Sequence, residues 1–165
     1  MRRPLRLRGA LGSSALLAFL ALTPAPGAPP LTDGQAAGSL TVQGKEIPLA
    51  HAAAFTDPRD NEPATVLVLS DTALPAAQWK KSSDMSLYRN THGFRGVAFW
   101  IDGKSQVFRC EYYDGTDFPT STSGIFDLKL ERSGSSLSGT AKSNAAAAKL
   151  REPVKLDVSF RAAAK

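Results

Sequence analysis

Two histidines are the side chains of this chain best suited to acid-base chemistry. His51 lies in the apolar stretch Leu49-Ala50-His51-Ala52, where alternation places it with Leu49, Ala53 and Phe55. An imidazole at such a position is either buried against a backbone acceptor or acts as a general base or metal ligand. His92 precedes a glycine and is expected in an exposed loop. Neither has a second histidine or a cysteine at ligand spacing, so the sequence predicts no metal site.

The single cysteine is the other candidate for chemistry. In the stretch Gln106 to Tyr113, alternation puts Cys110 on one face with Phe108 and Tyr112. A free cysteine behaves as a small buried hydrophobe, so we expect Cys110 in the core. A nucleophilic pair with His51 would need a partly exposed thiolate beside the imidazole, and nothing in the local sequence supports it. We therefore predict no catalytic residues, no cofactor and no enzyme, with a histidine-dependent hydrolase as one alternative.

Aromatic side chains concentrate in one part of the chain, and both faces of the stretch Val97 to Ile101 are apolar. Either a helix or loop covers the second face, or Trp100 and Tyr113 line a ligand pocket or a partner surface. The segment that carries Trp79 could provide the cover. Trp100, Tyr113 and His51 are accordingly the candidate ligand-binding residues, and a small-molecule carrier with an aromatic-lined interior is a second alternative.

Most of the chain after residue 38 shows the alternation of half-buried strands, separated by turn residues. Gln43-Gly44-Lys45 and Asp102-Gly103 predict hairpin turns, and Thr65 to Ser70 predicts a central strand. The pattern predicts an all-β fold, an antiparallel β-sandwich or partly closed barrel of seven or eight strands with one short helix. Sandwich and barrel alternate in the same way, so the pattern does not separate them.

The one predicted helix covers residues 75–81 and extends up to residue 87. Asp71 or Thr72 would cap it, and Pro75 suits its first turn. Leu74, Trp79 and Leu87 would face the sheet. A second segment, residues 144–151, is predicted as a loop or a frayed helix that ends before a proline.

The first 27 residues have the organisation of a secretory signal peptide. Four arginines within residues 1–8 precede a mostly apolar run from Ala10 to Leu22. As a helix that run would cover about 20 Å, short of the roughly 30 Å of a bilayer core. We predict cleavage after Gly27, a flexible leader at residues 28–38, a single β domain at residues 39–165, and a periplasmic or secreted location with no permanent membrane span.

Composition and charge exclude several classes of protein. The chain has 165 residues, of which 42% are hydrophobic and one is cysteine, so it is neither a disordered chain nor a disulfide scaffold. Without residues 1–27, 16 basic residues face 15 acidic ones, and the formal charge falls from +5 to +1. Lys80-Lys81 is then the only adjacent basic pair, so we predict no nucleic-acid binding.

The order of several short segments resembles a group of uncharacterised secreted or periplasmic bacterial proteins. These segments are Gly38-Ser39-Leu40-Thr41-Val42 with Gly44-Lys45, Leu49-Ala50-His51-Ala52, Val66-Leu67-Val68-Leu69-Ser70-Asp71 with Leu74-Pro75, and Gly124 with Phe126. The resemblance implies an envelope location and an all-β domain, and it supplies no catalytic residues. The expected function is that of an exported, non-catalytic β domain that binds a protein or small-molecule ligand or has a structural role.

Overall fold

Nine antiparallel strands form one sheet in the computed structural model, which describes residues 30–59, 62–116, 119–122 and 124–163. In chain order they are β1 Gln35–Val42, β2 Lys45–Asp57, β3 Ala64–Ser70, β4 Gly96–Ile101, β5 Val107–Tyr113, β6 Thr120–Thr122, β7 Phe126–Ser133, β8 Ser136–Ser143 and β9 Val154–Ala163. Across the sheet their order is β6-β5-β4-β3-β2-β1-β9-β8-β7. Because β9 pairs with both β1 and β8, the two halves of the chain share one sheet.

The sheet curls into a half-barrel, which brings strands from its two halves into contact. Arg132 on β7 donates a hydrogen bond of 3.2 Å to Thr65 on β3. Phe126 on β7 meets Phe99 on β4 edge to face, with ring centroids 6.2 Å apart. The prediction of an antiparallel β domain with a helix is confirmed. Of the two predicted architectures, the single curled sheet is nearer to a partly closed barrel than to a sandwich, and it has nine strands where seven or eight were predicted. The additional strand, β6, consists of three polar residues and has no apolar alternation to reveal it.

The larger hydrophobic cluster fills the concave side of this sheet. It takes side chains from seven strands, and three partly buried residues of β7 pack against it, namely Phe126, Leu128 and Leu130. β9 shows why these segments form strands. Val154, Leu156, Val158 and Phe160 are buried while the residues between them are exposed, as the alternation predicts.

A second cluster lies on the opposite face of β2 to β5 and is covered by the connection between β3 and β4. That connection holds a 3-10 turn at Ala76–Gln78 and the helix α1 at Ser82–His92. Because both faces of β3 and β4 are covered, these strands are almost wholly buried. The prediction that the Trp79 segment covers the second face is confirmed, since Trp79 is itself a buried member of this cluster.

The predicted helix has the wrong bounds, because α1 begins seven residues later than expected. Leu87 is 65% exposed, so the prediction that it faces the sheet is wrong, and Met85 is buried in its place. The physical reason is a distant contact. Asp57, at the end of β2, accepts hydrogen bonds from the backbone N–H (2.9 Å) and hydroxyl (2.6 Å) of Ser82 and thereby fixes the helix start.

The ends of the chain depart from the predicted boundaries in one respect. β1 begins at Gln35, which pairs with β9, so part of the predicted leader belongs to the sheet. Residues 1–29, with the predicted signal peptide, lie outside the described residues. The segment at residues 144–151 contains a 3-10 turn, Ala147–Lys149. In the described part of the chain, no helix is both long enough and apolar enough to cross a membrane.

Candidate functional site

Trp100 and Tyr113, two of the predicted ligand-binding residues, lie together in the second cluster. Trp100 is 2% exposed, and its indole N–H donates a hydrogen bond of 2.8 Å to the hydroxyl of Ser82 on α1. The guanidinium of Arg109 lies 4.4 Å from the Trp100 ring centroid. Tyr113 is also buried, and its hydroxyl donates to a carboxylate oxygen of Glu111 at 2.9 Å. Both aromatic residues therefore lie beneath the surface of the domain.

His51 lies on β2, opposite Gln35 of β1 and Ser70 of β3. It is half-buried. The first cluster contains Ile47 and Leu49 before this histidine, and Ala52 and Ala54 after it. The side chains that face this cluster are therefore at odd-numbered positions before His51 and at even-numbered positions after it. The expectation that His51 shares a face with Leu49 rests on unbroken alternation, which this change interrupts.

His92 and Cys110 lie on different parts of the fold. His92 is exposed as predicted, but it is the last residue of α1 and does not lie in a loop. Its ring stacks on Tyr88 with centroids 4.4 Å apart, and its Nδ1 lies 2.7 Å from the hydroxyl of Thr91. Cys110 is buried in the first cluster as predicted, and burial raises the pKa of its thiol to about 12. Among the described residues, no hydrogen bond joins either imidazole to an acid or to Cys110. The structure thus does not bring together the residues that the hydrolase alternative would use.

An open cleft of about 640 Å³ lies where the connection between β3 and β4 returns to the sheet. We call it the arginine cleft. Its lining comes from the end of α1 with the residues that lead into β4, and from the loops that follow β3 and β5. The lining residues used below are Asp71, Thr72, Arg89, Asn90, Phe94 and Arg95. None of these residues was a predicted site residue.

The register of β3 and β4 brings Asp71 and Arg95 together. Ser70 pairs with Gly96, so the next residues outward, Asp71 and Arg95, also oppose each other. The backbone N–H of Arg95 donates to the Asp71 carboxylate at 2.9 Å, and the guanidinium Nε donates at 2.7 Å. This contact fixes the base of the guanidinium. The two terminal nitrogens of Arg95 make no hydrogen bond to a residue that the structure describes.

Arg89 enters the arginine cleft from the last turn of α1 and is half-buried. Its Nη2 donates to the amide oxygen of Asn90 at 2.8 Å, and its guanidinium carbon lies 5.6 Å from the Tyr113 ring centroid. Its Nη1 is buried and has no acceptor among the described residues. A buried guanidinium nitrogen without an acceptor is rare in folded proteins.

A smaller cavity of about 90 Å³ shares Arg89 and Phe94 with the arginine cleft. The buried carboxylate of Glu111 belongs to its lining and accepts hydrogen bonds from Arg109 Nε (3.1 Å), Arg109 Nη2 (2.5 Å) and the Tyr113 hydroxyl (2.9 Å). Burial and the adjacent Glu111 carboxylate raise the pKa of Tyr113 far above its usual value, so its hydroxyl remains a donor. This network lies in the cavity adjacent to the cleft.

The chemistry of the arginine cleft is that of an anion-binding site. A guanidinium binds carboxylates and phosphates through two parallel hydrogen bonds, and it keeps its charge at all physiological pH values. Two guanidiniums face one carboxylate here, which is already bonded to Arg95. Within the described ranges, no group of three or more His, Cys, Asp or Glu residues could hold a metal ion.

Sequence reasoning missed this site because its residues come from three separate segments of the chain. One signal was available: Asp71 directly follows a predicted strand and Arg95 lies just before the next, so antiparallel pairing of the two strands would oppose them. Arg89 carried no such signal. No protein-family model matches the chain, and no curated protein or solved structure matches it significantly.

Proposed function

We propose that this protein is a non-catalytic binding domain that is exported to the bacterial envelope and holds a ligand in the arginine cleft. The observation that carries the proposal is the cleft itself. Its volume of about 640 Å³ lies within the usual range of ligand sites, and two arginines, Arg89 and Arg95, line it.

The groups in the cleft favour binding over catalysis. Guanidinium, amide and hydroxyl groups donate hydrogen bonds to a ligand but do not exchange protons readily near neutral pH. The Asp71 carboxylate, which could act as a base, is held by the backbone and side chain of Arg95. By contrast, the carrier alternative would seat its ligand beside Trp100, whose indole is covered by α1 and bonded to Ser82.

The proposed location depends on the first segment of the chain and on the resemblance described above. Four arginines precede 13 mostly apolar residues, a length that suits a cleavable signal better than an anchor. Cell fractionation and the mass of the mature chain test this part. We expect the protein in the envelope fraction with Ala28 as its first residue, and a cytoplasmic protein that retains Met1 or Arg2 would contradict export.

Native mass spectrometry of the protein purified from its own envelope tests the binding function. We expect a retained small molecule on the parent protein. The variant Asn90→Trp, which places a large side chain in the cleft, should lose it. Ser83→Trp is the matched control, because Ser83 is exposed on the same helix and outside the cleft lining. The proposed binding site would be overturned if the parent protein carried no bound molecule, or if the Asn90→Trp variant retained the molecule equally well.

A further inference from the structure

We propose that the ligand carries an oxyanion, a carboxylate, phosphate or sulfate group, which Arg89 and Arg95 bind together. This inference rests on the proposed function, since it assigns a chemical class to the ligand of the arginine cleft. Three features of the cleft support it: its charge balance, its hydrogen-bond donors and its rigidity.

The charge balance of the cleft leaves one cation without a counterion. Asp71 is 2.7 Å from Arg95 Nε and so neutralises that guanidinium. The other nearby acid, Glu111, lines the smaller cavity next to Arg89, but its oxygens are bonded to Arg109 and Tyr113. Among the described residues, therefore, no carboxylate forms an ion pair with Arg89. A ligand anion would supply that missing charge.

The hydrogen-bond donors have the number and type that an oxyanion accepts. Arg95 presents both terminal nitrogens, because only its Nε is bonded to Asp71. Arg89 contributes its positive charge, because its Nη1 has almost no exposed surface, and its Nη2 is bonded only to the neutral amide of Asn90. An oxyanion has several lone pairs on each oxygen and can accept from both guanidiniums at once, whereas a cation or a neutral donor cannot.

Both guanidiniums are held in place before a ligand binds. The backbone and side chain of Arg95 are bonded to Asp71, and an added Cβ at Gly115 would lie 3.4 Å from Arg95 Cδ, so the loop after β5 passes along this side chain. Arg89 lies against the Tyr113 ring and is bonded to Asn90. Such preorganisation reduces the entropic cost of binding.

Calorimetric titration of the full protein with sodium phosphate, sodium sulfate and sodium acetate, at constant ionic strength maintained with chloride, tests this proposal. We expect saturable binding of at least one of these anions. Arg89→Gln and Arg95→Gln should each weaken binding by about tenfold or more, as expected when a charge-assisted hydrogen bond is removed. Arg151→Gln is the matched control, since Arg151 is an exposed arginine outside the cleft. Its affinity should equal that of the parent. The anion that binds best identifies the source of the oxyanion.

A variant that does not fold would not decide the matter, so Arg95→Lys and Arg89→Lys are measured as well. Lysine keeps the charge but loses the paired donors, and it should restore only part of the affinity. Saturable binding that is the same in all four cleft variants, or no binding of any of the three anions, would overturn the oxyanion proposal. A retained native ligand that is neutral or cationic would overturn it too, while the proposed binding function would stand. Conversely, if the protein carries no native ligand but still binds anions through the two arginines, only the proposed function would be contradicted.

Discussion

Substitution of Asp57 by alanine should destabilise the protein strongly, although Asp57 lies outside both hydrophobic clusters. Its carboxylate is the acceptor in a chain of hydrogen bonds that joins β2, α1 and β4. The Trp100 indole donates to the Ser82 hydroxyl (2.8 Å), which donates to Asp57 Oδ2 (2.6 Å), while the Ser82 backbone N–H donates to Oδ1 (2.9 Å). The helix that covers one face of the sheet is held through this contact.

The expected magnitude follows from these bonds. Hydrogen bonds to a charged group contribute about 1.5 to 3 kcal/mol each, and a carboxylate at a helix start adds about 0.5 kcal/mol through the helix dipole. Because Asp57 is only half-buried and the two bonds are coupled, we expect Asp57→Ala to lower the free energy of unfolding by about 3 kcal/mol. Ser82→Ala should cost about 2 kcal/mol, since it leaves the buried Trp100 N–H without its acceptor.

Urea unfolding followed by tryptophan fluorescence measures both effects, because the only two tryptophans of the chain, Trp79 and Trp100, are buried in the cluster beneath this contact. Ser83→Ala, at the next and exposed helix position, is the control and should stay within about 0.5 kcal/mol of the parent. The double variant of Asp57 and Ser82 should cost less than the sum of the single variants. If Asp57→Ala is as stable as the control variant, the helix is not held in this way.

Three further predictions concern the core and the sheet. Between pH 9 and pH 12 the folded protein keeps the Cys110 proton that the unfolded chain loses, so the contribution of Cys110 to stability should fall by about 2 kcal/mol from pH 9 to pH 10.5. Denaturant titrations of Cys110→Ala should lack this part of the slope, and a slope equal to that of the parent would contradict the assigned pKa. Gly139→Ala should lower the melting temperature severely, because a methyl group there overlaps a carbonyl oxygen of β7 and φ is +159°, whereas Gly134→Ala, in an open turn, should show only the smaller cost of a positive φ; equal shifts in the two would refute the overlap. Met85→Ala should cost about 2 to 5 kcal/mol in urea unfolding, and Leu87→Ala less than about 0.5 kcal/mol; the reverse order would mean that the phase of α1 is wrong.

Alternation along single strands predicted much of this fold, because it depends only on which side of a strand is dry. It placed Cys110 in the core, assigned the exposed and buried positions of β9, and indicated that both faces of Val97 to Ile101 are covered. It could not give the start of α1, since the acceptor for that helix is Asp57, far away in the chain. Nor could it distinguish one curled sheet from two, which depends on β9 pairing with both β1 and β8.

The candidate site was hidden for the same physical reason. Trp100 and Tyr113 were chosen as large aromatic residues that could line a pocket, but large aromatic residues also cover a second sheet face, and here they are buried. Arg89 and Arg95 line the same cleft only because α1 ends beside the strand that follows it. Their position therefore depends on the helix start and on the register of β3 with β4, neither of which a local pattern encodes.

The architecture separates the requirements of stability from those of binding. The concave face is covered by the curl of the sheet itself, whereas the opposite face is covered by residues 71–95. Two carboxylates hold this connection: Asp57 on β2 fixes the start of α1, and Asp71 joins the two ends of the connection by accepting hydrogen bonds from Arg95. The arginine cleft lies where this cover ends, on loops and a helix terminus that a rigid sheet positions. Changes at Arg89 or Asn90 can therefore alter what the cleft binds without disturbing the larger cluster, so ligand affinity and unfolding free energy should vary independently across cleft variants.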